Sequence, residues 1–302
     1  MLKNNVNMCF EKTNPELYQK WKNNTDKYLR YLCNKWSVNL TGFEKKGRFG
    51  LVFYGYSKDF GKIVLKIIPS FYDRLYNEIN SYKFIPYHEM CPLLDYDTNI
   101  GALLLKYIKP EETSDVFLDT KILFNSLFLQ KQKSNDIISL PSYIEKNKSR
   151  MFETIKLISL EEKNDIYKSF ISDIELSLDI IHYFDNDVQY ILHGDIHKYN
   201  ILKHNNSFSI IDPIGVIGPF EFELVRCLGT LIKEKDISIN DFLEYISLIE
   251  MDYKKLIVAM IIDSTVRSCN TFFEGNADKE IREAIKYSHN LSRYLINQMS
   301  KN

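Results

Sequence analysis

The sequence predicts an α+β fold in two parts, a small antiparallel sheet carrying one helix and then a larger, mainly helical region. Three observations carry this. Residues 38–69, VNLTGFEKKGRFGLVFYGYSKDFGKIVLKIIP, are β-branched and aromatic and are punctuated by Gly42, Gly47, Gly50, Gly55 and Gly61. That is the texture of successive strands joined by glycine turns. Two further apolar runs follow, Pro92 to Tyr96 and GALLLKYI, with one helical pattern between them and the sheet segment. Beyond Pro110 the apolar residues recur at helical rather than alternating spacing.

Taken in order, residues 1–36 mix charges with aromatics, and Trp21, Tyr28, Leu29 and Leu32 predict an amphipathic lead-in helix. Residues 37–106 form the β-rich segment, with Pro69 closing the third strand and Phe71, Leu75, Ile79 and Tyr82 on one face of the inserted helix. Residues 107–302 form the helical part. There SLEE at 159–162 reads as a capping box, in which Ser159 and Glu162 satisfy the first free amides of a helix. Phe170, Ile174, Leu178 and Ile181 give that helix its apolar stripe, and it runs into the loop ILHGDIHKYNIL at 191–202. SFSIIDPIG follows as a short strand ending at Asp212, and residues 220–302 read as amphipathic helices.

Composition narrows the function classes. Lys+Arg 39 against Asp+Glu 40 leaves a formal charge of -1, so no basic field supports nucleic-acid binding. Five cysteines, Cys9, Cys33, Cys91, Cys227 and Cys269, are scattered and never paired as C-x-x-C, which predicts reduced thiols rather than a disulfide framework. The first residues lack the apolar centre of a signal peptide, and LIVAMII at 256–262 is too short to span a bilayer. The expectation is a cytoplasmic protein with neither membrane nor nucleic acid as partner.

The loop carries the chemistry. Asp195 is followed five positions later by Asn200, then by Asp212 after a strand-like stretch. Two carboxylates and an amide oxygen suit a hard divalent cation such as Mg2+, and phosphoryl transfer needs that ion together with a carboxylate to orient the attacking hydroxyl. In protein kinases the catalytic aspartate and the metal-binding asparagine show the same offset. On the loop alone two alternatives stay open. One is a polar turn in which Asn200 bonds its own backbone. The other is a transition-metal trio of His193, Asp195 and His197 on one strand face, which Gly194 disfavours because glycine there marks a bend.

The β-rich part supplies matching groups. Lys66 interrupts an apolar strand and needs a partner if buried, and Glu78 in the following helix is the candidate. The bland alternatives are an outward-pointing lysine on an edge strand and a solvated glutamate. Gly47 and Gly50 could let backbone amides approach a phosphate, although a hairpin needs the same glycines. Lys106, Tyr107 and Ile108, where the chain leaves the sheet, could offer backbone groups to a nucleotide base.

LHGDIHKYNIL followed by IIDPIGVIGPFEFELVR resembles the aminoglycoside phosphotransferase family, kinase-like enzymes acting on small molecules. The I-D-P-x-G-x-x-G continuation, with Gly215 and Gly218, leans towards its streptomycin and hydroxyurea branch, and the likeness covers roughly residues 38–230. It implies a bilobal protein-kinase-like fold, ATP or GTP with Mg2+ as cofactors, Asp195 as catalytic carboxylate, and Asn200 and Asp212 as metal ligands. It further implies Lys66 on the nucleotide phosphates with Glu78 positioning it, and an aminoglycoside hydroxyl as acceptor, streptomycin included, with antibiotic resistance as the consequence. A polycationic acceptor needs carboxylates, for which Glu223, Glu234, Asp236, Asp263 and Glu274 are the candidates. Arg226 and Arg267 would instead suit an anionic acceptor. Lys106 and Glu111 depart from the family's usual residues at the exit from the sheet. A metabolite kinase with a methylthioribose- or homoserine-like acceptor and a nucleotide-binding regulator without catalysis are the competing readings.

Overall fold

The computed structural model describes residues 14–44, 50–112, 115–134, 140–160, 165–273 and 277–300. They divide into two compact units, Met1–Glu112 with Leu202–Ile214, and Thr113–Ile201 with Gly215–Asn302. The return of residues 202–214 to the first unit is a feature the three-segment division did not include.

The first unit opens with α1, Pro15–Lys35, where proline stands in the first turn and the Asn14 side chain accepts a hydrogen bond from the Leu17 amide at 3.3 Å. Strands β1 (Val38–Glu44), β2 (Leu51–Ser57) and β3 (Gly61–Ile67) follow, then helix α2 (Arg74–Phe84) and strands β4 (Leu93–Asp97) and β5 (Ala102–Lys106). All pair antiparallel in the order β1-β2-β3-β5-β4. Because strand side chains alternate, β3 buries Ile63, Leu65 and Ile67 on one face against Tyr18, Trp21 and Leu32 of α1. Ile68 joins Leu75 and Ile79 of α2 in a separate cluster. The lead-in helix is therefore one cover of the sheet. Its end is tied to β4, with Trp36 Nε1 donating to Asp95 at 2.7 Å and Lys35 bridging Asp97 at 2.7 Å. Phe71, expected on the inner face of α2, precedes the helix and is exposed, because Pro69 delays helix entry to Arg74.

A hairpin, β7 (Ile201–His204) and β8 (Ser207–Ile210), completes this unit. The Cys91 amide donates to the Ile210 carbonyl at 2.9 Å and the Ile210 amide to Glu89 at 2.7 Å. Glu111 is held by its own amide to Lys203 O at 2.8 Å, and its carboxylate accepts from the Asn205 amide at 3.0 Å. The acidic residue that departs from the family pattern thus anchors the hairpin.

The second unit contains helices α3 (Val116–Gln130), α4 (Tyr143–Leu160) and α5 (Asp165–Ile180), and the short strand β6 (Tyr190–Leu192). Its later elements are the strand β9 (Val216–Gly218) and helices α6 (Glu221–Glu234), α7 (Ile239–Leu248), α8 (Tyr253–Phe273) and α9 (Asp278–Met299). The capping box at Ser159 is corrected. Ser159 lies in the last turn of α4 with its hydroxyl donating to Ile155 O at 2.8 Å, while Glu162 lies outside the described residues. The apolar stripe expected downstream is present in α5, with Phe170 and Ile174 fully buried. LIVAMII is also more than its letters implied. It sits in the 21-residue α8, which by length and composition is long and apolar enough to cross a membrane. A helix apolar all round is either a span or a core element. Residues 256–266 of α8 are buried without a break, and the helix packs on α4, α6 and α9, so within this unit it forms the core.

Candidate active site

Strand β6 buries Ile191 and Leu192 and pairs with β9, Leu192 opposite Val216. The strand stops at His193 because Gly194 takes φ +79°, and a side chain there would put its Cβ 2.7 Å from Val216 Cγ2. Only glycine turns the chain at this point. The freed amides of His193 and Gly194 are both caught by the Glu223 carboxylate on α6, Oε1 accepting from His193 and Oε2 from Gly194 at 3.1 Å. His193 is fully buried, and its Nδ1 accepts from the Asp195 amide at 3.3 Å. The histidine ring braces the loop, and the three alternate side chains do not form a metal trio. Among the described residues no three His, Cys, Asp or Glu side chains gather as a metal centre.

Asp195 follows this turn with its carboxylate one-fifth exposed. Arg226, one turn beyond Glu223 on α6, donates to Asp195 Oδ1 from Nε at 3.0 Å and from Nη2 at 2.7 Å. The other oxygen, Oδ2, faces His197 Nε2 at 3.7 Å. Burial pushes the carboxyl up, but the Arg226 guanidinium and His197 outweigh it and hold Asp195 below the usual aspartate range. Behind Arg226, Asp263 of α8 lies 3.9 Å from Nη1, accepts from the Tyr143 hydroxyl at 3.3 Å and meets Arg267 Nε at 3.0 Å. Asp195, Arg226, Asp263 and Arg267 thus alternate in sign, which is how buried charges are made tolerable.

Asn200 closes a 3-10 turn, Lys198–Asn200, and its amide nitrogen donates to Asp195 O at 3.0 Å. The backbone bond foreseen for a polar turn is therefore present, and it fixes the side chain so that the amide oxygen is the end able to meet a cation.

In the first unit Lys66 is buried at the centre of the sheet, opposite Val52 of β2 and Leu103 of β5. The edge-strand alternative does not hold. Its Nζ lies 2.7 Å from Glu78 Oε1 and 2.9 Å from Asp212 Oδ1, and Glu78 is fully buried. Burial pulls the ammonium down, but Asp212 and Glu78 more than offset it and keep Lys66 charged. Asp212 itself takes φ +59°, its amide donates to the Tyr82 hydroxyl at 3.3 Å, and its side chain is about half exposed. The Asp212 carboxylate in this unit and the Asn200 amide oxygen in the other are each donors of the hard type that suits Mg2+.

The remaining expected residues are placed as follows. Gly50 is required by packing, since a Cβ would meet Ile67 O at 2.7 Å, and Gly47 lies outside the described residues. The Lys106 amide donates to Pro92 O at 3.0 Å, its carbonyl accepts from Cys91 Sγ at 3.3 Å, and the Tyr107 amide donates to Lys62 O at 3.1 Å. Those groups are spent within the first unit. Of the acceptor carboxylates, Glu223 and Asp263 are buried in the loop supports just described. Glu234 and Asp236 both hold Lys198, at 2.5 and 2.7 Å, and Glu234 also accepts from the Tyr199 hydroxyl at 2.7 Å. Glu274 lies outside the described residues. All four described carboxylates are thus engaged by groups of the chain itself. What the sequence reading missed is that α6 supports the loop. The signal was available, because Glu223 stands among Phe222, Leu224 and Val225 and a carboxylate in such a run must be buried and bonded.

No protein-family model and no curated protein matches the sequence. Solved structures do match. A choline kinase from Cryptosporidium parvum Iowa II superposes with TM-score 0.62 at 14% identity, over 90% of this chain and 97% of that one. The aminoglycoside phosphotransferase APH(4)-Ia, as a thermostable mutant with ADP and hygromycin B, gives TM-score 0.64 at 10% identity, over 89% and 97%. The amicoumacin kinase hAmiN, bound to AMP-PNP, Ca2+ and amicoumacin, gives 0.59 at 11%, over 84% and 88%. The chain has the fold shared by choline kinases and aminoglycoside phosphotransferases.

Proposed function

We propose that the chain is a small-molecule kinase that transfers the γ-phosphoryl group of ATP to a hydroxyl. The observation that carries this is the buried Lys66, held charged between Glu78 and the half-exposed Asp212. A cation kept in a sheet interior at that desolvation cost points to an anionic ligand, and nucleotide phosphates fit it. Lys66 binds those phosphates and Glu78 positions it. Asn200 and Asp212 would hold Mg2+, which when bound neutralises charge on the transferring phosphoryl group. Asp195, with one oxygen fixed by Arg226, uses the other to accept the hydrogen bond and finally the proton of the acceptor hydroxyl. GTP is the alternative phosphoryl donor in this scheme. A cytoplasmic location accords with ATP use and with the buried thiols of Cys91, Cys227 and Cys269, each pushed up to about 12 by burial.

The H-G-D-x-H-x-x-N and I-D-P motifs support an aminoglycoside acceptor, streptomycin among them, with resistance as the outcome. The engagement of Glu223, Glu234, Asp236 and Asp263 by the chain's own cations and amides supports a second acceptor class, a methylthioribose- or homoserine-like metabolite that is not polycationic. Mg2+- and ATP-dependent phosphate transfer to a panel of aminoglycosides, choline and hydroxylated metabolites, run beside Asp195→Ala, separates them. Transfer to an aminoglycoside, lost in the variant, carries the first class. Transfer only to a metabolite carries the second. ATP binding without any transfer makes the chain a regulator, and absence of ATP binding overturns the kinase reading.

A further inference from the structure

The second unit contains a cavity of about 760 Å3 between α3, the start of α6, α7 and the segment after α7. None of His193, Asp195, Asn200, Glu223 or Arg226 lines it. At the start of α6 the lining residues are Phe220, just before the helix, and Leu224, whereas Glu223 and Arg226 reach the loop from a different side of the helix.

Five rings, Phe117, Phe124, Phe128, Phe220 and Tyr245, make its wall. Two edge-to-face pairs, Phe117 with Tyr245 and Phe128 with Phe220, set them at angles that expose ring faces. Those faces already take cations. Lys121 Nζ lies 4.4 Å from the Phe117 centroid and Lys131 Nζ lies 3.1 Å from that of Phe128. Asp241, Glu244 and Glu250 add three carboxylates, of which Asp241 is used in capping α7 and the other two are exposed. At the mouth Leu129 and Leu248 are 86% and 76% exposed, uncommon for leucines flanking a cavity.

We propose that this cavity is a second ligand site, distinct from the phosphoryl-transfer loop, for an organic cation with an apolar body such as a long-chain or aryl ammonium compound. The volume is that of small-molecule sites, the ring faces favour a weakly hydrated cation, and Glu244 and Glu250 complement its charge. Lys121 is the one cation among the lining residues against three carboxylates, so a fatty acid or other anion would meet the same rings but a net negative wall. The site stands whether or not the chain is a kinase, because its recognition elements are separate from Asp195.

The test is calorimetric titration of the full-length chain, without nucleotide, with octyltrimethylammonium and with octyl sulfate. The cation is expected to bind at one saturable site at least tenfold more tightly than the anion. Glu244→Gln with Glu250→Gln should weaken it severalfold, and Leu129→Trp, at an exposed position that spares the core, should block it. Equal binding of both probes, an unchanged dissociation constant in the charge variant, or no saturable binding overturns the proposal.

Discussion

Replacing Glu223 by Gln tests whether this carboxylate serves the loop or an acceptor. Its two oxygens accept from the amides of His193 and Gly194, and the residue is 1% exposed. A hydrogen bond to a buried charged group contributes about 1.5–3 kcal/mol, so the pair contributes about 3–6 kcal/mol. Glutamine keeps the shape but only one acceptor, and it turns an NH2 group towards the second amide. The expected loss is about 2–3 kcal/mol, and Glu223→Ala should lose the full pair. Urea unfolding followed by circular dichroism reads the change directly. Phosphate transfer should fall as well, through turnover rather than acceptor affinity, because Gly194 and Asp195 lose their fixed position. An unchanged unfolding midpoint together with a raised KM for the acceptor would refute this reasoning and restore Glu223 as an acceptor contact.

Gly194→Ala should cost about 1–3 kcal/mol, since φ +79° is strained for alanine and its Cβ would meet Val216. A thermal shift close to zero would show that the turn can relax. Lys66→Met leaves Glu78 buried without its ammonium and should destabilise by about 3–5 kcal/mol and abolish nucleotide-dependent transfer. Adding Glu78→Leu should recover stability but not transfer, and recovery of both would remove Lys66 from the chemistry. The Asp97 carboxyl is pushed up by burial, but Lys35 and the amides of Ile100 and Asn99 outweigh that and hold it low. Its stabilising contribution is therefore full above the ordinary aspartate pKa and is lost as pH falls through the lower folded value. Asp97→Asn should flatten that acid limb of the unfolding profile, and an unaltered limb would place the acid sensitivity elsewhere.

The strands were legible because β3 alternates and is bounded by Gly61 and Pro69, and Lys66 announced itself as a charge in that apolar alternation. Asp195 and Asn200 were legible from spacing, and Gly194 as the bend between them. What spacing does not show is which side chain turns inward from a helix whose neighbours are unknown. Glu223, Glu234, Asp236 and Asp263 look alike as letters on amphipathic helices, yet two support the His193–Asp195 turn and two hold Lys198. Ser159 failed for a related reason. S-x-x-E marks a helix start only if the preceding residues are not helical, and α4 already occupied them. Likewise the seven letters of LIVAMII understate α8, because its polar residues Asp263, Ser264, Thr265 and Ser268 are buried too.

The hairpin of residues 201–210 gives the order of synthesis a bearing on assembly. The first unit takes Ile210 as the partner of Glu89 and Cys91, Lys203 and Asn205 as partners of Glu111, and Asp212 as the second anion on Lys66. All of these lie beyond residues 113–201, which belong to the other unit. A nascent chain that has emerged only as far as Glu112 carries every strand of the five-stranded sheet, yet it leaves a buried ammonium with one counterion and the amides of Cys91 and Glu111 without their acceptors. The first unit must therefore wait for its last partners while about half of the helical unit is translated, and a fragment ending at Glu112 lacks them.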